Sequence, residues 1–259
     1  MNDLDHLSTE QPNPRSARLD KLPVGELLRV INREDATVAG AVAKAIPQVA
    51  RVVRAVAWRL ARAGRLFYIG AGTSGRLGCV DASEMPPTYG VPPELVQGII
   101  AGGYEALLRS MEGAEDNGAA GAADIAARQV TKRDAVIGLS ASGRARYVRE
   151  ALREARRRGA FTACITCNRN SALIPCVQVA VVAATGHEVL AGSTRMKAGT
   201  AQKMILNMIS TATMVRLGRV QGNRMVDLQI KCDKLRERAR NLVAVGDSLR
   251  ASVAVPIGH

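Results

Sequence analysis

Residues 66–76 read LFYIGAGTSGR, a short apolar run that leads directly into a glycine-rich turn. An apolar run of this length is typical of a strand buried on both faces of a parallel sheet. The same order returns at residues 137–144, IGLSASGR, which also ends in Ser-Gly-Arg. Ligands of open α/β sheets lie just beyond the carboxyl ends of the strands. One such turn would indicate only a tight bend, but two after separate strands favour an anion site such as one for phosphate.

The rest of the chain alternates apolar runs with segments of helical periodicity. Further buried strands are predicted at residues 95–102, 134–140, 160–166 and 177–183. Helices are predicted at residues 24–33, 36–63, 103–129, 145–158 and 195–217. This alternation predicts an α/β fold, a doubly wound parallel sheet with flanking helices and an N-terminal helical segment. The helix at 195–217 is too apolar to be a solvated face, so it needs a partner inside the subunit or between subunits.

Composition excludes several classes of function. The net charge is +13, but the excess is mostly arginine spread along helices, and aromatic residues are only 3% of the chain. Solvated helix faces are therefore favoured over a nucleic-acid surface, which would need clustered cations and stacking platforms. No run reaches the roughly 18 apolar residues that a membrane span needs, and the N-terminus lacks the apolar core of a signal peptide. We expect a soluble intracellular protein that binds neither nucleic acid nor membrane.

The glycine-rich turn at residues 70–75, GAGTSG, satisfies the dinucleotide pattern G-x-G-x-x-G. That pattern also needs an acidic residue at the end of the next strand, and residues 100–103 read IAGG. The chain has three histidines and a lone C-x-x-C at 164–167, which gives a metal site little support. The sequence therefore predicts no cofactor and no metal, and it favours a small phosphorylated metabolite.

Two acidic segments stand apart from the solvated charges, DASEMPP at 81–87 and MEGAEDNG at 111–118. Pro86 restricts Met85 to extended backbone, so Glu84 is expected on a fixed loop and not inside a helix. The alternative for Glu84 is a capping box with Asp81 as the N-cap residue. The alternative for the second segment is a solvated turn between helices. A pair of positioned carboxylates would instead provide a general acid and a general base.

Six segments together resemble the N-acetylmuramic acid 6-phosphate etherase family: STEQPNP (8–14), the stretch from GRLFYIG to PPTYG (64–90), EGAED (112–116), SASGR (140–144), GSTRMKAGTAQK (192–203) and NRMVDLQ (223–229). The resemblance implies a sugar isomerase (SIS) fold, a homodimer, and catalysis without a metal or cofactor. The implied reaction cleaves the D-lactyl ether of N-acetylmuramic acid 6-phosphate to N-acetylglucosamine 6-phosphate and D-lactate. The implied setting is cytoplasmic recycling of cell-wall amino sugars.

The resemblance also implies roles for individual residues. Glu84 matches the family's proton donor, which helps lactate leave and then activates water, and Glu115 matches the base at C2. Phosphate would be held by Ser140, Ser142 and Gly143. The neighbouring turn would assist through Gly72, Thr73, Ser74 and Gly75. The residues implied around the sugar pocket are Glu188, Ser193, Thr194 and Lys197.

The same resemblance suggests that the chain has three regions. They are an N-terminal arm with helices that pack on the core (1–63), the SIS sugar-phosphate domain (64–220) and a C-terminal helical segment (221–259). Two other functions stay open, a non-catalytic sugar-phosphate sensor and a sugar-phosphate isomerase. Both Glu84 and Glu115 are present, which favours the enzyme, because binding a phosphate alone requires neither carboxylate.

Overall fold

Five parallel strands form the central sheet of the computed structural model, which describes residues 7–225. The strands are β1 (Leu66–Gly70), β2 (Val96–Ile100), β3 (Ala135–Leu139), β4 (Phe161–Thr166) and β5 (Val179–Val182). Their order across the sheet is β2-β1-β3-β4-β5. The predicted strands and the α/β class are confirmed. The chain leaves β1 to one side for β2 and returns to the other side for β3, so the crevice beyond β1 and β3 is the topological switch point.

Helices cover both faces of this sheet. They are α1 (Val24–Asp35), α2 (Val38–Ala43), α3 (Ile46–Leu60), α4 (Gly72–Ser83), α5 (Met85–Tyr89), α6 (Glu105–Leu108), α7 (Gly118–Ala127), α8 (Arg146–Arg157) and α9 (Lys197–Arg216). Side chains of β1 alternate between the two layers because successive strand residues point to opposite faces. Leu66 and Tyr68 pack with α2, α3 and α9, whereas Phe67 and Ile69 pack with α7 and α8. The apolar helix predicted at 195–217 is therefore α9, and its partners include the sheet of its own subunit.

Two predicted helices are interrupted in the structure. The segment 36–63 divides into α2 and α3, and Pro47 stands in the first turn of α3, where a missing N–H group costs no hydrogen bond. The segment 103–129 divides into α6, a single 3-10 turn and α7. Gly113 adopts a left-handed backbone (φ +70°) before the 3-10 turn, and the Oδ1 atom of Asn117 accepts a hydrogen bond from the N–H of Ala120 to begin α7. A proline in the first turn of α3 and an asparagine cap at α7 therefore mark where new helices begin within the longer periodic segments.

The arginine-rich face at α3 and its C-terminal end lies in solvent as the sequence predicts, except at Arg59, which is half-buried. Arg51, Arg54 and Arg62 are exposed, while Val52 and Val56 are completely buried on the opposite side. In the part of the chain that the structure describes, no single helix is long and apolar enough to cross a membrane. Two helical segments, Val24–Ala43 and Ile46–Leu60, reach the length and apolar composition of a membrane span only when they are taken together, and the chain bends by 58° between them. The predicted C-terminal helical segment (221–259) begins not as a helix but within a short antiparallel pair of strands, β6 (Val220–Gln221) and β7 (Arg224–Met225), and from position 226 onward it lies outside the described residues.

Helices α7 and α8 approach each other so closely that one position between them must be glycine. A Cβ atom added at Gly121 would lie 2.0 Å from the carbonyl oxygen of Tyr147. We expect Gly121→Ala to lower the free energy of unfolding by about 1–3 kcal/mol because the helices must separate. The matched control is Gly40→Ala in α2, where an added Cβ atom meets nothing within 4 Å. That change should stabilise the protein by about 0.5–1 kcal/mol.

Urea unfolding of both variants, followed by circular dichroism, measures this difference. Equal stabilities for Gly121→Ala and the wild type would contradict the described packing of α7 on α8.

Candidate active site

The turn after β1 places the start of α4 at the carboxyl edge of the sheet. Gly72 has a left-handed backbone (φ +53°) and is followed by Thr73 and the buried Ser74. A Cβ atom on Gly75 would lie 2.7 Å from the side chain of Ile100 and 2.8 Å from the carbonyl oxygen of Gly70. Glycine at this position lets the helix begin directly above the strands. The first N–H groups of α4, which have no helical partner, therefore face the edge of the sheet.

The turn after β3 lies beside the turn after β1, because Gly70 and Leu139 pair at the ends of neighbouring strands. The Oγ atom of Ser140 accepts a hydrogen bond of 3.1 Å from the N–H of Gly143. Gly143 has φ +78°, and an added Cβ atom would lie 2.0 Å from the Oγ atom of Ser171. The side chain of Ser142 is partly exposed at the same edge. The structure thus brings together the two serine-glycine turns that the sequence singled out.

Glu115 lines a cleft that opens beside the first of these turns. The cleft has a volume of about 370 Å³ and includes Gly72, Arg76 and Glu112 among its lining residues. Glu115 lies in the 3-10 turn Ala114–Asp116, fixed on one side by Gly113 and on the other by the start of α7. The predicted solvated turn is therefore also the wall of a cleft. This arrangement presents an exposed carboxylate to any molecule held at the carboxyl edge.

Glu84 is not on the extended loop that the sequence predicts. It joins α4 to α5 with helical backbone (φ −83°, ψ −10°), and Met85 begins α5. The prediction was wrong because Pro86 falls in the first turn of a new helix, a position where proline is well tolerated. The capping-box alternative does not form either, since Asp81 is buried inside α4 and accepts hydrogen bonds from Asn207 and Ser210. Glu84 itself is exposed.

The two carboxylates lie at opposite ends of α4 within one subunit. The helix begins at Gly72, beside the cleft of Glu115, and ends next to Glu84. At a rise of 1.5 Å per residue, its 12 residues span about 18 Å. The structure therefore does not bring Glu84 and Glu115 together in a single chain.

Glu188 and Lys197, predicted around the sugar pocket, are both buried beneath the surface. Glu188 is fully buried, and its two carboxylate oxygens accept hydrogen bonds of 2.9 Å from the N–H groups of Lys197 and Ala198 at the start of α9. Burial raises the pKa of Glu188, and these backbone hydrogen bonds partly offset the rise. The carboxylate therefore caps α9, which anchors the loop that carries Ser193 and Thr194.

The ammonium group of Lys197 is paired with a glutamate from the N-terminal helices. Its Nζ atom donates to Glu34 at 2.8 Å and to the carbonyl oxygen of His187 at 3.0 Å. Arg15 also donates to both carboxylate oxygens of Glu34. Burial alone would raise the pKa of Glu34, but the hydrogen bonds from Arg15 and Lys197 outweigh it and lower the pKa to about 2. This ion pair joins α1 to α9 across 163 residues of sequence.

The N-terminal arm, for which the sequence predicts only that it precedes helices packed on the core, is held beside the turn after β3. The Oγ atom of Ser8 donates to Asn168, and Asn168 donates to the Oγ1 atom of Thr9 and to the carbonyl oxygen of Ala141. The carbonyl oxygen of Thr9 accepts from the N–H of Gly192 at 3.0 Å. Asn168 thus holds the arm against the turn after β3. The signal in the sequence was the STEQPNP match, whose position in space it could not give.

A second missed residue is Gln202 of α9. It is 1% exposed, and its Oε1 atom accepts a hydrogen bond of 2.8 Å from the Oγ atom of Ser74. Nearby, a Cβ atom on Gly199 would lie 3.6 Å from the Cγ2 atom of Thr73. The beginnings of α4 and α9 therefore lie side by side, and the hydrogen bond to Gln202 orients Ser74.

Fold and site together define a SIS-type α/β domain, with two serine-glycine turns at the carboxyl edge of its parallel sheet. Residues 117–212 match the SIS domain family, and residues 48–156 match the glucokinase regulatory protein N-terminal SIS domain. The solved phosphoheptose isomerase from Neisseria gonorrhoeae superposes with a TM-score of 0.58 at 14% identity, covering 74% of this chain and 99% of that one. At this identity the likeness establishes the fold alone.

Two curated relatives are much more similar, and both are named N-acetylmuramic acid 6-phosphate etherase. The protein from Symbiobacterium thermophilum is 55% identical over 93% of this chain and 80% of its own length. The protein from Clostridium beijerinckii is 50% identical over 93% of this chain and 79% of its own length. The chain belongs to the N-acetylmuramic acid 6-phosphate etherase family, a family of carbon–oxygen lyases.

Removing one partner of the buried ion pair between Glu34 and Lys197 should destabilise the protein strongly. We expect Glu34→Gln to lower the free energy of unfolding by about 3–5 kcal/mol, because it leaves the buried ammonium of Lys197 without a counter-charge. The matched control is Glu154→Gln, since Glu154 pairs with Arg157 on a solvated helix face. That change should cost less than about 1 kcal/mol. Urea unfolding at pH 7 measures both values.

The pH dependence of unfolding provides a second measurement of the same pair. The folded pKa of Glu34 is about 2, below its ordinary value of 4.5. The unfolded chain therefore binds more protons between these values, and the stabilisation from this group is lost as the pH falls from about 4.5 towards 2. Glu34→Gln should show a smaller loss over that window, and an unchanged pH profile would contradict the pairing.

Proposed function

We propose that this chain cleaves the D-lactyl ether of N-acetylmuramic acid 6-phosphate, yielding N-acetylglucosamine 6-phosphate and D-lactate. The observation that carries the proposal is the cleft of Glu115, which opens at the same sheet edge as the two serine-glycine turns. A base beside a phosphate-binding edge is what this reaction requires. Incubation of the purified protein with N-acetylmuramic acid 6-phosphate, with an assay for D-lactate, tests it directly.

The chemistry follows from the poor leaving ability of an alkoxide. In the ring-opened sugar, the aldehyde at C1 acidifies the proton on C2, and Glu115 removes it. The electron pair forms the C2–C3 double bond as the bond from C3 to the lactyl oxygen breaks, and Glu84 protonates that oxygen. Glu84 then takes a proton from a water molecule, and the remaining hydroxyl of that water adds to C3. Glu115 returns a proton to C2. The two carboxyl groups must begin in opposite protonation states, which different surroundings can provide.

Phosphate binding is proposed at the two neighbouring turns. Ser140, Ser142 and Gly143 would contact the phosphate from one side, and the start of α4 would contribute N–H groups from the other. That second turn consists of Gly72, Thr73, Ser74 and Gly75. Ser193 and Thr194 are proposed to contact the sugar. Glu188 and Lys197 would act through that loop, because both are buried and already hydrogen bonded.

A homodimer is proposed because the two carboxylates lie at opposite ends of α4. Carbons C2 and C3 are bonded to each other, so one substrate cannot reach both groups of the same subunit across about 18 Å. A second copy could supply its Glu84 to the cleft of the first. Large exposed apolar side chains lie near both places, namely Val80 near Glu84, and Tyr104 and Leu108 near the cleft. A second subunit that covered both places would remove these apolar side chains from water.

The two carboxylates can be separated by isotope exchange. We expect Glu115→Gln to abolish exchange of the C2 proton with deuterated water, because an amide cannot act as the base. Glu84→Gln should leave that exchange measurable while it blocks release of D-lactate. Proton NMR of the substrate and an enzymatic lactate assay measure the two events. Wild-type exchange in Glu115→Gln would show that the roles are wrongly assigned.

Mixing the two inactive variants tests whether the site is shared. In a mixed dimer, one site would combine the intact Glu84 of one subunit with the intact Glu115 of the other. Random mixing makes half of the dimers mixed, each with one intact site, so about a quarter of wild-type activity should return in a symmetric dimer. A mixture that stays inactive after subunit exchange, or a protein that light scattering shows to be monomeric, would contradict the shared site.

A cytoplasmic role in recycling cell-wall amino sugars is proposed on family membership alone. A sensor or isomerase on the same fold is not favoured, because relatives at about half identity carry the etherase name.

A further inference from the structure

Arg76 is the one cation among the described residues that line the cleft of Glu115. The lining otherwise consists of small or apolar residues, Ser110, and the two carboxylates Glu112 and Glu115. Arg76 stands at the end of the first turn of α4 and is partly buried. A guanidinium group in such a cleft is a ready partner for an anionic group of a ligand.

The side chain of Arg76 is fixed by backbone carbonyl groups. Its Nε atom donates to the carbonyl oxygen of Leu107 at 3.3 Å, and its Nη2 atom donates to that of Arg109 at 2.9 Å. These acceptors are neutral, so they orient the guanidinium without cancelling its charge. No ion pair joins Arg76 to a carboxylate within residues 7–225. Three of its five N–H groups are left for a ligand.

The backbone around Arg76 keeps the cleft open. Gly102 has φ +86°, and an added Cβ atom would lie 3.0 Å from the side chain of Met111 and 3.2 Å from Ala106. The chain can therefore fold tightly between β2 and α6 without a side chain entering the cleft. The segment that supplies the carbonyl groups of Leu107 and Arg109 also leads to Glu115, so the base and the cation are positioned by one short loop.

The substrate of the proposed reaction carries two anionic groups, the phosphate on C6 and the carboxylate of the lactyl group. The lactyl group is attached at C3, next to the C2 atom on which Glu115 acts, whereas the phosphate is four carbons away from C2. We infer that Arg76 binds the lactyl carboxylate and so selects sugar phosphates that carry an acidic ether substituent. This inference rests on the proposed function. It assigns the specificity of the cleft to a single residue.

Electrostatics gives a reason why the cleft needs this residue. Glu112 and Glu115 would repel an incoming carboxylate, and repulsion between like charges is strong in a partly enclosed cleft. A fixed arginine offsets that repulsion and offers two parallel N–H groups to the two carboxylate oxygens. A sugar phosphate without the lactyl group would not use this contact.

Direct binding separates the two possible anions. The experiment compares Glu115→Gln with the double variant Glu115→Gln/Arg76→Gln, so that bound substrate is not consumed. Calorimetry should show that the Arg76 change weakens the binding of N-acetylmuramic acid 6-phosphate by about ten- to a hundredfold. Binding of N-acetylglucosamine 6-phosphate, which keeps the phosphate but lacks the lactyl group, should not change. Its retained binding also reports that the variant is folded.

An equal loss for both sugar phosphates would overturn the inference, because Arg76 would then bind the phosphate. An unchanged affinity for both would overturn it as well. If the glutamine variant does not fold, Arg76→Lys decides, since lysine keeps the charge without the planar fork. In that variant the loss for the lactyl sugar must still exceed the loss for the other. A wild-type protein that releases no D-lactate would refute the proposed function, whereas these binding measurements would still decide the role of Arg76.

Discussion

Close contact between α4 and the central strands is the constraint on which the rest of the site depends. A Cβ atom on Gly78 would lie 2.8 Å from Leu139 and 3.0 Å from Tyr68, and Gly75 is equally enclosed. Because no side chains separate the helix from the sheet there, α4 begins where β1 ends. Its first turn then supplies Ser74 and Arg76 to the carboxyl edge, while its length carries Glu84 to the far end.

A buried ion pair holds the second half of the site in place. Lys197 and Glu34 are both nearly inaccessible, and Arg15 extends the pair to the N-terminal arm. Removing two charges from water is costly, so a buried pair contributes little net stability compared with an apolar contact of the same shape. The pair instead determines how α1 and the N-terminal arm are placed against α9. Only one docking of α1 and the arm against α9 satisfies both charges, and that docking sets the loop of Ser193.

The fold and the chemistry of this protein come from different sources. The parallel sheet with its covering helices is shared with a phosphoheptose isomerase at 14% identity, so the fold specifies no particular reaction. The reaction depends on which side chains the loops add to that fold. Here the loop between β2 and α7 adds Glu115 and orients Arg76, and α4 places Glu84 at its far end, which is the reason for proposing a site shared between two subunits.

Local patterns in the sequence were enough to predict the strands, the sheet class and the two serine-glycine turns, because apolar runs and glycine turns are local signals. Family motifs also singled out Glu84 and Glu115 as chemically important. Sequence could not show that Met85 begins a helix, since proline is compatible with both an extended loop and a first helical turn. Tertiary structure alone decided that Glu188 and Lys197 are buried, that Asn168 holds the arm, and that α4 separates the two carboxylates. Those facts depend on which elements pack together in space, as when Glu34 meets Lys197 across 163 positions, or on the direction of a helix, and neither is encoded in a local pattern.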